Sequence, residues 1–140
     1  MKNMKKLVCI VLAAVMVFAL CACGGNAEKN ALDEIKESGV LTVCLSPDFS
    51  PMEFVDSSKS GQEQYVGFDV TLAKYIAEYL GVDLEIQAMN FDACQTAVST
   101  GSVPMSISGY SWTETRAENF ELSDYYYAGE NETEQVLLIR

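Results

Sequence analysis

The chain contains 140 residues with 20 Asp or Glu, 9 Lys or Arg and no His, which gives a formal net charge of -11. This length suits one domain, and a hydrophobic fraction of 49% is enough to build a core, which argues against a disordered chain. The acidic balance disfavours nucleic acid and anionic membrane surfaces as partners. The absence of His excludes Ser-His-Asp and Cys-His catalysis and every His-containing zinc site, and we predict neither a metal nor a cofactor.

An export signal is predicted over residues 1–22. Lys2, Lys5 and Lys6 form a basic start, and residues 7–20 form an uncharged apolar run. A transmembrane helix needs about 20 apolar residues, so this run is short for a membrane span. The run is apolar on every face, which disfavours the alternative of a buried core helix. A basic start followed by a short apolar segment is typical of a secretory signal peptide.

Residues 20–23, Leu-Cys-Ala-Cys, resemble the bacterial lipobox. The resemblance implies cleavage before Cys23, attachment of diacylglycerol to that cysteine, and residues 23–30 as a lipidated tether. The protein is therefore expected to be exported and anchored through lipid to the outer face of the cell membrane, or to be periplasmic. Secretion with a free, unlipidated Cys23 is the alternative.

Short elements alternate along residues 31–140. We predict a leading helix that ends at Gly39, followed in chain order by strand 40–45, helix 67–80, strand 82–87, helix 91–99, strand 103–108, helix 113–119 and strand 136–139. A loop with a possible short strand at 52–55 separates the first strand from the first long helix. This alternation is typical of an α/β fold with a mainly parallel sheet and flanking helices.

Two cysteines, Cys44 and Cys94, remain after the predicted signal and anchor. Cys44 lies in predicted strand 40–45, and Cys94 lies in predicted helix 91–99. We favour two buried thiols that pack as small hydrophobic groups. A disulfide in the exported protein is the alternative.

The segment 106–116 carries the main indication of a binding site. A strand ends here in small residues and runs directly into the start of a helix, where free N–H groups attract anions. Gly109 allows a ligand to approach the backbone. Ser111 and Glu114 match the capping-box pattern, and Thr113 is a competing N-cap. Ligands of open α/β sheets bind at the carboxyl ends of strands, which is where this segment lies.

Arg116 is a cation in the first turn of predicted helix 113–119, where it opposes the helix dipole. Its guanidinium can hold a carboxylate with two parallel hydrogen bonds, which suits an anion site. The alternative is a surface pair with one of the nearby acids, Glu114, Glu118 or Glu121.

Two phenylalanines are predicted to line the same cleft. Phe49 follows strand 40–45, and Phe91 opens helix 91–99 directly after a strand. Both therefore lie at the carboxyl ends of strands. Core packing is the alternative for each ring. Residues 125–127, three tyrosines, are predicted to form a packed strand or turn rather than a site.

Four segments follow one another at a characteristic spacing: residues 51–54 (PMEF), 67–70 (GFDV), 108–116 and 120–126 (FELSDYY). Together they resemble the bacterial extracellular solute-binding proteins of family 3, the receptors of polar amino-acid ABC transporters. The resemblance covers residues 31–140. It implies that these residues form the truncated first lobe of a type II periplasmic-binding-protein clamshell, with the second lobe missing.

The resemblance also implies a function and its partners. A monomeric protein that is not an enzyme would capture a polar amino acid through its carboxylate and deliver it to the permease subunits. The implied ligand-binding residues are Ser108, Gly109, Ser111 and Arg116 for the carboxylate, with Phe49 and Phe91 flanking the ligand. With one lobe alone, the chain is expected to bind amino acids weakly or not at all, because enclosure from both sides gives such a site its affinity.

Some residues depart from the family pattern and leave the ligand open. Pro104 stands where members commonly have Asp, and Trp112 replaces the usual aliphatic residue. Ser46 stands where some relatives carry an acidic ligand contact, with Asp48 two residues further on. Two functions of other classes remain as alternatives: an enzyme on the same fold, such as a dehydratase or lytic transglycosylase, and an extracellular sensor domain.

We predict that Cys23→Ser releases the protein from the membrane into the soluble exported fraction. Stable anchoring needs two or more acyl chains, and the predicted attachment point of those chains is Cys23. Cell fractionation measures the release, and mass spectrometry of the native protein identifies its first residue and the lipid. An unmodified Cys23, or an N-terminus at residue 1, would contradict the prediction.

Overall fold

The computed structural model describes residues 30–127 and 135–139. The predicted signal peptide over 1–22, the lipidated Cys23, the tether up to residue 29 and an acidic stretch at 130–134 lie outside the described residues. Within those described ranges, the helices are all too short or too polar to cross a bilayer.

Four α-helices and eight strands lie within the described residues. The helices are α1 (Ala31–Ser38), α2 (Phe68–Leu80), α3 (Phe91–Ser99) and α4 (Glu114–Asn119). The strands are β1 (Val40–Leu45), β2 (Asp48–Phe49), β3 (Glu53–Val55), β4 (Tyr65–Val66), β5 (Asp83–Ala88), β6 (Met105–Ser111), β7 (Glu121–Leu122) and β8 (Gln135–Ile139). A short 3-10 helix, Gly61–Gln64, precedes β4.

The central sheet has five strands in the order β5-β1-β6-β8-β7. β1 runs parallel to both β5 and β6, whereas β8 runs antiparallel to β6 and β7. This confirms an α/β fold with a mainly parallel sheet. A second, antiparallel sheet of β2, β3 and β4 lies between β1 and α2 in the chain.

Helices pack on both faces of the central sheet, and the sequence of β1 reflects this burial on two sides. Its alternate residues Leu41, Val43 and Leu45 join a cluster with side chains of α1 and α2. Cys44 points to the other face, into a cluster with side chains of α3. A strand buried on both faces is apolar throughout rather than alternating, which explains the continuous run VLTVCL.

Glycines set the ends of α1 and α2. Gly39 and Gly81 adopt left-handed backbone conformations with φ of 72° and 73° and cap the two C-termini, as the sequence predicts. Gly67 precedes α2 with φ of 128°. The first N–H groups of α2 donate to the carbonyls of residues 51 and 52, so the second sheet and α2 are joined through the backbone.

Three predictions around the site segment need correction. The strand predicted over 103–108 is β6, which begins after Pro104 and continues to Ser111, because β8 pairs with its second half. The helix predicted over 113–119 is one residue shorter at its start. The N-cap of this helix is Thr113, the competing candidate, whose hydroxyl accepts the Arg116 N–H at 3.2 Å. The capping box of Ser111 with Glu114 does not form, because Ser111 still belongs to the strand.

Cys44 and Cys94 are free thiols in direct contact, and neither side chain is exposed. They pack between β1 and α3 with Val98 and Val103. The hydrogen bond with Cys94 and burial raise the pKa of Cys44. The interpretation of two buried thiols therefore agrees with the structure.

We predict that Gly67→Ala lowers the free energy of unfolding by about 2–5 kcal/mol, since it combines backbone strain with a steric clash. A Cβ at this position would lie 2.9 Å from the Pro51 carbonyl oxygen and closer still to that of Met52. The matched control is Gly81→Ala, which has open space around it and should cost only about 1 kcal/mol. Urea denaturation measures both, and equal losses would contradict the steric argument.

Candidate ligand-binding site

An open pocket of about 380 Å³ lies at the carboxyl ends of β1 and β6. Its lining residues are Ser46, Asp48, Phe49, Glu53, Phe91, Ser108 and Gly109. The structure thus brings together Phe49, Phe91, Ser108 and Gly109 from the predicted site. The other two predicted residues, Ser111 and Arg116, lie beside this pocket and not among its lining residues.

The parallel pairing of β1 and β6 forms the floor of the pocket. Cys44 is in register with Ser106, and the Ser106 hydroxyl donates to the Cys44 carbonyl at 2.8 Å. Two residues further along, the Ser46 N–H donates to the Ser108 hydroxyl oxygen at 3.0 Å. These bonds fix the end of β1 against β6, where the pocket opens.

The two phenylalanines form the apolar part of the pocket. Phe49 lies on β2 rather than in a loop, and 53% of it is exposed. Phe91 starts α3, where the Asn90 side chain caps the helix by accepting the Ala93 N–H at 2.8 Å. Its ring packs against Tyr110 with the centroids 4.7 Å apart. Phe49 is therefore open to a ligand, and Phe91 both lines the pocket and packs against the core.

Ser108 and Gly109 are tied to two acids behind the pocket. The Ser108 hydroxyl donates to Glu53 Oε1 at 2.6 Å. The Gly109 N–H donates to Asp69 Oδ2 at 2.8 Å, in a part of β6 where the pairing register shifts and Gly109 has φ of 54°. Both polar groups thus already have partners within the protein.

Glu53 and Asp69 are buried acids, with 1% and 0% of their surfaces exposed. The Tyr126 hydroxyl donates to Asp69 Oδ1 at 3.0 Å, and its ring stacks on Phe68. From the sequence, Glu53, Asp69 and Tyr126 were expected only as parts of the segments PMEF, GFDV and FELSDYY, without a role in the site. The sequence does contain one indication of a buried acid, since Glu53 is the charged residue within the otherwise apolar run PMEF.

Burial is the main cause that raises the pKa of Glu53, to about 9. The neighbouring Asp69 and Asp48 raise it further, and the hydrogen bond from Ser108 acts in the opposite direction. Burial and the nearby Asp69 also raise the pKa of Tyr126. This side of the pocket therefore holds a protonated Glu53 at neutral pH.

Arg116 lies beside Phe91, at the edge of the pocket. Its Nη1 donates to the Ser111 carbonyl at 2.8 Å, and its Nε donates to the Gln95 side-chain oxygen at 3.4 Å. Its guanidinium carbon is 5.5 Å from the ring centroids of both Phe91 and Tyr110. Within the described part of the chain it forms no ion pair, so the alternative of a surface pair with a nearby glutamate does not hold there.

An α/β lobe with an aromatic-walled pocket at the carboxyl ends of its strands has the form of a small-molecule-binding domain. Residues 41–134 match the bacterial extracellular solute-binding proteins, family 3, and the chain belongs to this family. The family and the type of lobe agree with the sequence analysis.

Individual relatives support this assignment. The chain is 36% identical over 124 residues to the arginine-binding extracellular protein ArtP of Bacillus subtilis, covering 89% of this chain and 45% of ArtP. The arginine-bound form of domain 1 from TmArgBP superposes with a TM-score of 0.71 at 43% identity, over 79% of this chain and 86% of that domain. The cyclohexadienyl dehydratase of Pseudomonas aeruginosa is 34% identical over 77 residues, 55% of this chain and 27% of the enzyme. The chain spans about half the length of the curated relatives it matches, or less.

Proposed function

We propose that the protein is the extracytoplasmic substrate-binding component of an amino-acid ABC transporter, which captures an amino acid and delivers it to the membrane permease. The observation that carries this proposal is the pocket on a family 3 lobe, with Phe49 and Phe91 as walls and Arg116 beside it. The pocket volume of about 380 Å³ is within the usual range for small-molecule sites.

A cationic amino acid, with arginine as the first candidate, suits this pocket best. Among the described residues that line it, Asp48 is an exposed acid and none is a base, whereas Glu53 is buried and protonated. Guanidinium groups stack favourably on aromatic faces, which Phe49 and Phe91 supply. The arginine-binding relatives support the same ligand class.

The ligand carboxylate is assigned to Arg116 and Ser111. The present partners of the Arg116 guanidinium are neutral oxygens, so its charge is not neutralised there. A carboxylate that replaces those contacts gains a charge-assisted, two-point hydrogen bond. Gly109 and Ser108 serve as the wall behind the ligand, and the Gly109 N–H reaches a ligand only if it is shared with Asp69.

One lobe alone is sufficient to hold the ligand in this proposal. Enclosure by two lobes led us to expect weak or no binding by one lobe, but domain 1 of TmArgBP has a crystal structure in an arginine-bound form. That domain aligns with most of this chain at 43% identity. We therefore expect this chain to bind an amino acid with measurable affinity, instead of weakly or not at all.

We predict that the purified protein binds L-arginine at least tenfold more tightly than L-glutamine and does not bind L-glutamate. The reason is that an acidic side chain meets Asp48 without a compensating cation in the pocket. Isothermal titration measures the affinities, and NMR of the ligand after incubation tests for turnover. Absence of heat with every amino acid, or conversion of the ligand to product, would refute the proposal.

Arg116→Ala is expected to weaken binding of the preferred amino acid by on the order of a hundredfold, about 3 kcal/mol, because the carboxylate loses its charged partner. Arg116→Lys should recover part of this, since lysine cannot form the two-point contact. Lys74→Ala, on the exposed side of α2, is the charge-matched control. A folded Arg116→Ala protein that binds within a factor of about three of the wild type would remove Arg116 from the site.

A further inference from the structure

The acids behind the pocket hold two consecutive residues of β6. Glu53 accepts from the Ser108 hydroxyl at 2.6 Å, and Asp69 accepts from the Gly109 N–H at 2.8 Å. We propose that Glu53 is a positioning residue that shares one proton with Asp69, and that this single proton holds the Ser108–Gly109 wall of the pocket in place. The part of this inference that concerns affinity rests on the proposed function, whereas the part that concerns the proton does not.

The two carboxyl groups are close neighbours behind the pocket. Glu53 and Asp69 hold adjacent residues of β6, and the nearby Asp69 helps to raise the pKa of Glu53. With both groups ionised, two negative charges would lie close together inside the protein, where the repulsion is severe.

The proton belongs on Glu53. Asp69 accepts two hydrogen bonds, from the Gly109 N–H and the Tyr126 hydroxyl, so both of its oxygens have donors. Glu53 accepts one, from Ser108, and its Oε2 has no hydrogen-bond partner among the described residues. A proton on Oε2 turns that unpaired oxygen into a donor toward Asp69.

Two acids face Glu53, Asp48 from β2 and Asp69 from α2, and both disfavour its ionisation, as burial does. The hydrogen bond from Ser108 acts in the opposite direction but is outweighed. The phenol of Tyr126, which follows β7, donates to Asp69. The shift of the Glu53 pKa to about 9 agrees with this arrangement. Ionisation would therefore add a second buried negative charge next to Asp69 and push apart the elements that carry Ser108 and Gly109.

The raised pKa of Glu53 determines the direction in which the folding stability changes with pH. Because the folded protein holds the Glu53 proton more tightly than the unfolded chain does, folding is favoured most below about pH 4–5, where an ordinary glutamate is protonated. This advantage is lost as the pH rises toward 9. The unfolding equilibrium constant should rise with pH by up to about tenfold per unit over this range.

The first experiment tests the proton without any ligand. Urea unfolding between pH 5.5 and 9 is compared for the wild type, Glu53→Gln and Glu85→Gln, in which an exposed glutamate on β5 is changed in the same way. We expect the wild type and Glu85→Gln to lose stability as the pH rises and Glu53→Gln to lose much less. Infrared spectroscopy at pH 7 should show a protonated carboxyl band that Glu53→Gln lacks. Equal pH dependence in all three proteins, or a wild type without that band, would overturn the proposal, and the wild-type spectrum decides the matter if the variant does not fold.

The second experiment tests positioning through arginine affinity at pH 7. Glu53→Gln keeps a neutral side chain that can donate to Asp69 and accept from Ser108, so it should bind arginine more tightly than Glu53→Ala does. Glu53→Ala should lose at least tenfold. Equal binding by Glu53→Ala would overturn the positioning role. A wild type that binds no amino acid would refute the proposed function, and the unfolding and infrared results would still decide whether Glu53 carries the proton.

Discussion

The parallel pairing of β1 with β6 is the constraint on which the site depends. It joins segments 62 residues apart, with the Ser106 hydroxyl donating to the Cys44 carbonyl and the Ser46 N–H donating to the Ser108 oxygen. The same pairing places the end of β1, with Ser46, beside the irregular part of β6, with Gly109. The pocket, its acids and the nearby Arg116 all take their positions from this pair of strands.

The elements with a strong local pattern could be predicted from the sequence. β1, α2 and α3 have the expected bounds within one residue, because their apolar period and the glycine that ends α2 are encoded locally. β2 and β4 have two residues each, which is too short for any periodicity. The second half of β6 depends on β8, and a partner more than 20 residues away leaves no mark on the local sequence.

The residues of the candidate site also fall into those that could be predicted from the sequence and those that could not. Phe49, Phe91, Ser108 and Gly109 could be predicted to lie together because each follows or ends a strand at the same edge of a sheet. Glu53 could not, since its burial results from contacts with Ser108, 55 residues away, and with Asp69. For Arg116, the sequence predicted a place near the site but not the contacts of its side chain. The guanidinium lies against the rings of Phe91 and Tyr110, and such contacts depend on the folded chain.

The place of β8 in the sheet affects the order in which the protein can fold. β7 joins the sheet only through β8, which inserts between β6 and β7 although it comes last among the described strands. As the chain leaves the ribosome, β5, β1 and β6 can pair early, while Tyr110 and the second half of β6 wait for Val136 and Leu138 to cover them. The pocket wall at Ser108 and Gly109 is therefore completed only after β8 has been synthesised, and until then β6 presents an open, apolar edge of the kind that chaperones bind and that other strands can join.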